Sequence, residues 1–271
     1  MIWPWFLPGV ALAGWFSTNY AWWRRTVDWH QPRVLMYHMV TPPRPGARYN
    51  GMRVSPQMFA RQLVWLREQG FTFAGMSDLA TGKVDGKTVV LTFDDGYEDN
   101  YLNALPLLQK HQARATLYLV TSRDGRDWSA KKKAHHNSGE LAREPKLSDA
   151  QVQEMLCSGC FELGAHTLTH ANLSKLDHEQ KRAEIGGSRT ILEQRFGVEV
   201  SSFAYPFGIW DETDRRITQE SGFKTAVTTE PGIDPWPLPD PLAIRRVKVS
   251  GKEGFFPFRL RIRTGRRGAS K

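Results

Sequence analysis

Along most of the chain, short runs of consecutive apolar residues alternate with longer segments whose apolar positions recur every three or four residues. The first kind reads as buried strands and the second as amphipathic helices. The strand runs are residues 34–38, 88–93, 115–120, 161–165, 202–205, 224–228 and 244–249. Between them, residues 55–69 read as a helix capped by Ser55, with Pro56 in its first turn and Phe59, Leu63 and Leu66 at helical spacing. Residues 100–111, 148–158 and 178–196 read the same way. Strands that alternate with helices build a parallel sheet. The expected fold class is α/β, a distorted (β/α) barrel with about seven strands, preceded by an N-terminal hydrophobic segment.

Three stretches break the alternation. Residues 1–23 carry no charged side chain, gather Trp3, Trp5, Trp15, Trp22 and Trp23 towards their two ends, and are followed at once by Arg24 and Arg25. About 20 apolar residues in a helix reach across a bilayer core, and tryptophans favour its interfaces. Pro4, Pro8, Ser17, Thr18 and Asn19 interrupt the run, and no basic segment precedes it as in a cleaved signal peptide. The expectation is a retained anchor or interfacial segment over 1–30, making the protein membrane-associated, at the inner membrane in a bacterium. The basic pair behind the segment favours the cytoplasmic face over the periplasmic one. Residues 122–146 are polar, carry Lys131 to Lys133 with His135 and His136, and read as a loop.

Charge sharpens the picture at the other end. Residues 259–271 hold five Arg, one Lys and no acid, which is six of the nine net positive charges at pH 7. Such a tail suits an anionic membrane surface. No nucleic-acid-binding motif accompanies it, so no nucleic-acid partner is expected. The chain therefore divides into a hydrophobic segment (1–30), a barrel (31–255) and a basic tail (256–271). Cys157 and Cys160 stand as a single CxxC without a second pair, too few for a disulfide framework or a zinc ribbon.

Reactive groups of an α/β barrel collect where its strands end. The run from Thr88 stops in Asp94, Asp95 and Gly96, and consecutive side chains at a strand end point apart, so the two carboxylates can serve a metal and a water separately. The run 161–165 leads into His166 and His170. Two histidines four residues apart share one face of a helical turn and, with an aspartate, make a three-ligand site with an open position. A third strand end, Tyr205-Pro206-Phe207-Gly208, is a tight turn whose Phe207 N–H could face the site as an oxyanion donor.

In this order, the three pieces resemble the polysaccharide deacetylase family, carbohydrate esterase family 4 or the NodB-homology domain, over roughly residues 33–250. Its Thr-Phe-Asp-Asp-Gly motif is matched by residues 92–96 and its His-Ser/Thr-x-x-His motif by 166–170. The resemblance implies Asp94 as general base and Asp95, His166 and His170 as ligands of one divalent metal, zinc ahead of cobalt or nickel. It also makes the Phe207 backbone N–H part of the oxyanion hole. Two family features are absent: Phe203 and Ala204 stand where many members have an arginine, and no histidine follows His178. Both gaps point to the poly-N-acetylglucosamine deacetylase-like branch, which is similar to a circular permutation of the pattern. There His38, in an early Tyr-His strand, becomes the general acid, expected across the site from Asp94, and Arg246 takes the place of the missing arginine.

The implied activity is metal-dependent removal of N-acetyl groups from N-acetylhexosamine units of a polysaccharide or lipid-linked glycan. The glycan and a membrane surface are the expected partners. The same site could cut an O-acetyl ester or an N-formyl group, and a glycan-binding protein with a dead site is the alternative outside the enzymes.

Overall fold

A computed structural model describes residues 6–84, 86–125 and 139–268. Trp3, Trp5, the lysines at 131–133 and the histidines at 135 and 136 lie outside the described residues. The strands are β1 (Arg33–Tyr37), β2 (Met39–Val40), β3 (Arg53–Val54), β4 (Thr72–Ala74), β5 (Thr88–Asp95), β6 (Ala115–Leu119), β7 (Phe161–Ala165), β8 (Ser202–Ala204), β9 (Thr225–Pro231) and β10 (Ile244–Lys248). The helices are α1 (Phe6–Tyr20), α2 (Pro56–Glu68), α3 (Met76–Ala80), α4 (Leu105–Lys110), α5 (Asp149–Cys157), α6 (His178–Arg182), α7 (Ser188–Phe196), α8 (Glu212–Glu220) and α9 (Phe255–Thr264).

β1 pairs in parallel with β5 on one side and β10 on the other, and β6 to β9 follow in order between them. The result is a closed parallel barrel of seven strands with flanking helices. An eighth strand, β4, pairs with residues 88–90 of β5, ahead of the stretch 91–95 that meets β6. Every residue of β1, β5 and β6 is buried, which is why these strands read as continuous apolar runs and not as alternating ones. The helix expected at 55–69 forms over Pro56–Glu68, where Ser55 Oγ accepts from the Met58 N–H at 3.2 Å and Phe59, Leu63 and Leu66 are buried.

The differences from the sequence pattern have local causes. β5 runs on to Asp95, because Asp94 and Asp95 still pair with Tyr118 and Leu119 of β6. The helix expected from 100 opens with a wide π turn at Asn100–Ala104, and that from 178 is interrupted by another at Ala183–Gly187. α8 carries few apolar residues and is tied down by charge, with Lys181 Nζ donating to Asp211 Oδ2 at 2.9 Å and forming an ion pair with Asp214 Oδ1 at 2.9 Å.

The terminal segments pack together. The basic tail expected from 256 is in large part the helix α9, whose Pro257, Phe258, Leu260, Arg261 and Ile262 are buried. The apolar residues between the arginines bring it down on the barrel. The Phe256 ring meets Phe16 of α1 at 6.0 Å and Tyr20 at 5.7 Å, and the Arg263 guanidinium donates to the Trp22 carbonyl. α1 leaves Val10, Leu12 and Trp15 exposed, as are Trp22 and Trp23 after it. Among the described residues, no helix is long and apolar enough to cross a membrane.

Candidate active site

Asp94 and Arg246 meet inside the barrel. Arg246, 1% exposed on β10, donates from Nη1 to Asp94 Oδ1 and from Nη2 to Asp94 Oδ2, both at 2.7 Å. Its Nε donates to the Thr228 carbonyl at 2.7 Å, and Nη1 also reaches Thr92 Oγ1 at 2.9 Å. A planar fork held at two further points fixes the carboxylate as well as its charge. Burial pushes the Asp94 carboxyl up, but the Arg246 guanidinium outweighs it and holds the group below the usual carboxylate range.

His38 is nearer to this pair than expected. Its Nε2 lies 4.0 Å from Asp94 Oδ2 rather than across the site, because β1 and β5 are paired neighbours with Tyr37 opposite Phe93. Burial lowers the imidazole pKa, while the Asp95 and Asp94 charges oppose that shift.

Asp95 turns the other way. It has φ +80°, a region that few residues other than glycine adopt, and Gly96 follows at +83°. A Cβ at Gly96 would stand 2.4 Å from Leu119 Cδ1, so only glycine lets the chain turn here. Asp95 Oδ1 lies 3.4 Å from His166 Nε2 and 3.4 Å from His170 Nε2. Burial raises the Asp95 carboxyl, and the two imidazoles more than reverse this, leaving it well below its ordinary value.

The histidines do not sit on a helical turn. Residues 166–170 are irregular, and positive φ at Thr167 (66°) and His170 (57°) brings the rings to 4.8 Å instead. His166 Nδ1 is 2.7 Å from the Ala204 carbonyl, so Nδ1 is the donor there and Nε2 is the nitrogen turned to Asp95. These three buried residues form a candidate metal site, their ligand atoms all within 4.8 Å of one another. The donor chemistry fits. A separation of 3.4 Å is long for a hydrogen bond but matches the edge of a tetrahedron with metal bonds of about 2.1 Å.

Phe207 closes the site from β8. It too has a positive φ, 59°, and its ring packs edge-on against His170 at 4.5 Å. Gly208 follows where a Cβ would meet Thr229 Oγ1 at 1.9 Å. His38, Asp94, Asp95, His166, His170 and Phe207 all line one cavity of about 130 Å³. Arg246 stands behind Asp94.

Tyr49, Met52, Leu141 and Thr229 line the same cavity and carried no signal in the sequence. Leu141 belongs to the stretch read as a loop, yet it is 2% exposed. The fully buried Arg53 holds that stretch, donating to Glu140 at 2.8 Å and Glu144 at 2.7 Å. Cys157 is exposed, Cys160 half-buried, and both are free thiols away from this cavity.

The polysaccharide deacetylase model matches residues 81–226, just over half of the chain, and the chain belongs to that family. It is 26% identical over 189 residues to the poly-beta-1,6-N-acetyl-D-glucosamine N-deacetylase of Staphylococcus aureus, a match covering 65% of this chain and 61% of that protein. It is 28% identical over 204 residues to YxkH of Bacillus subtilis, covering 73% of this chain and 64% of the relative. The chain thus spans less than two thirds of either relative. Among solved structures, a polysaccharide deacetylase from Bacillus cereus superposes with a TM-score of 0.72 at 29% identity, over 86% of this chain and 69% of the other.

Proposed function

We propose that this chain is a metal-dependent hydrolase that removes N-acetyl groups from N-acetylhexosamine units of a polysaccharide or lipid-linked glycan. The observation that carries the reading is the split between two adjacent carboxylates in one cavity, Asp94 locked to Arg246 and Asp95 facing two imidazoles. Asp95, His166 and His170 would hold a divalent ion, zinc in preference to cobalt or nickel. Bound there, the metal would polarise the amide carbonyl and acidify a water.

The remaining work falls to the chain's own groups. Asp94, kept ionised below the usual carboxylate range, takes the proton of the attacking water, and Arg246 aims its oxygens. The Phe207 N–H donates to the oxyanion of the tetrahedral adduct. An amine leaves poorly unless it is protonated, and His38 delivers that proton to the nitrogen. The products are acetate and an amino sugar.

A membrane surface is the second part of the reading. The exposed Val10, Leu12, Trp15, Trp22 and Trp23 support an interfacial segment, with Arg24 and Arg25 beside it to meet anionic lipid on the cytoplasmic face.

Acetate release from N-acetylglucosamine oligomers tests the activity. Turnover should vanish on chelation and return with zinc. Acetate release untouched by a chelator would remove the metal from the reading, and no release from any N-acetylated glycan would remove the activity.

A further inference from the structure

A second cavity, about 510 Å³, opens beside the catalytic one, and Thr229 lines both. Its floor is the barrel end carrying Thr229, Lys248 and Ser250, and its sides are Thr18 and Asn19 of α1 with Arg261 of α9. Lys248 is opposite Met36 in the sheet register, two residues before His38, so the cavity adjoins the proposed acid as well.

The charges in this cavity do not balance. Glu253 Oε1 accepts from Arg261 Nη2 and from Arg267 Nη1, each at 2.7 Å, so one carboxylate serves two guanidinium groups. Lys248 adds a third cation, and among the described residues its ammonium has no ion pair or hydrogen bond. The rest of the wall is uncharged: Thr18, Asn19, Thr229 and Ser250 with Pro231 and Gly268. A glycan that had already lost acetyl groups would bring ammonium groups to this place, like charge against like. An anion is what the cavity favours.

The kind of anion follows from which cation is left over. The planar forks of Arg261 and Arg267 are already engaged by a carboxylate, whereas Lys248 offers a compact point charge of the kind that binds phosphoryl oxygens. About one turn before Thr18 and Asn19, α1 exposes Trp15, with Leu12 and Val10 further along. Apolar surface thus leads directly into the cationic cavity.

From this juxtaposition we infer that the cavity is a subsite for a phosphoryl group carried by the substrate, the diphosphate joining a glycan to a prenyl chain that lies along α1. The inference rests on the de-N-acetylase reading for its substrate and sharpens that reading to the lipid-linked alternative.

Two measurements on the full chain test it. The first is binding of inorganic pyrophosphate, which needs no turnover. The wild type and Asp94→Asn should bind alike, while Lys248→Gln and Lys248→Glu should bind at least about tenfold more weakly. No pyrophosphate binding, or binding indifferent to Lys248, would overturn the subsite. The second compares kcat/KM for acetate release from a neutral N-acetylglucosamine oligomer, the same oligomer on a prenyl diphosphate, and one with an internal phosphodiester. The prenyl diphosphate should be preferred over the neutral oligomer by at least about tenfold, and Lys248→Gln should erase that ratio. Equal kcat/KM on all three would overturn the subsite and leave the de-N-acetylase reading standing. A preference for the phosphodiester would overturn the lipid carrier as the source. Pyrophosphate binding without acetate release from any substrate would sink the de-N-acetylase reading and not the anion site.

Discussion

Asp94 and Asp95 leave the same strand one residue apart and enter two differently built halves of the cavity. The Asp94 half rests on paired strands: β1 pairs with β5 on one side and β10 on the other, and Arg246 reaches the carboxylate from β10, at a register shift in the pairing of β10 with β9. The Asp95 half rests on irregular backbone. Of the six non-glycine residues with positive φ among the described residues, Asp95, Thr167, His170 and Phe207 are four, and all lie in or beside this half. Such conformations cost on the order of 1–3 kcal/mol each and persist where the surroundings enforce them. Strand pairing thus positions Asp94 with Arg246 and His38, and left-handed backbone positions Asp95 with the two histidines.

The sharpest way to break this contrast is to neutralise each carboxylate in turn. Asp94→Asn and Asp95→Asn should each lower kcat by roughly 10²–10⁴-fold, the range of a positioned acid or base. Only Asp95→Asn should lose metal, measured on the purified protein by elemental analysis. Equal metal loss in both variants would merge the two halves into one. His38→Ala comes next, with a loss of about 10²-fold on an N-acetyl substrate and little on an activated aryl acetate, whose leaving group needs no proton. Similar losses on both substrates would take the acid role from His38.

Arg246→Lys should be milder, about tenfold in kcat, because it keeps a charge and loses the fork. Arg246 holds the Asp94 carboxyl low, so weakening the contact raises that pKa and moves the acid limb of the pH profile upward. An unmoved limb would make Arg246 a packing residue only.

The smallest effect concerns the turn behind His38. Asp99 Oδ1 accepts from the Val40 N–H at 2.6 Å, and burial pushes its carboxyl up to about 7. An acid that binds its proton more tightly when folded stabilises the fold at low pH. That stability is lost as pH rises from the unfolded value of about 4 through about 7. Asp99→Asn keeps the acceptor and should flatten this dependence in denaturation midpoints taken from pH 4 to pH 8.

The barrel and the cluster of Asp95, His166 and His170 were legible because their residues are local in the chain or announce themselves as strand ends. Buried apolar runs marked seven strands, and Asp-Asp-Gly and the paired histidines marked two of the turns. What failed was geometry that depends on distant partners. The histidines converge through positive φ at Thr167 and His170, which helical spacing cannot express. His38 sits beside Asp94 because of the β1–β5 register, and Leu141 reaches the cavity because Arg53 grips Glu140 and Glu144. The arginines near the C-terminal end suggested a basic tail suited to an anionic surface, since the apolar residues between them fall into a helical face only once the barrel provides a surface for it.

Closure of the main sheet through β1 has a consequence for handling the protein. The strand that ends this sheet is β4, three residues long, with Thr72 exposed and Ala74 buried. So short a run gives a second chain few backbone groups to latch onto, and the other strands of the sheet have both flanks occupied. Edge-to-edge aggregation therefore has little foothold on the sheet, and self-association in solution should track the exposed tryptophans of the terminal segment and respond to detergent.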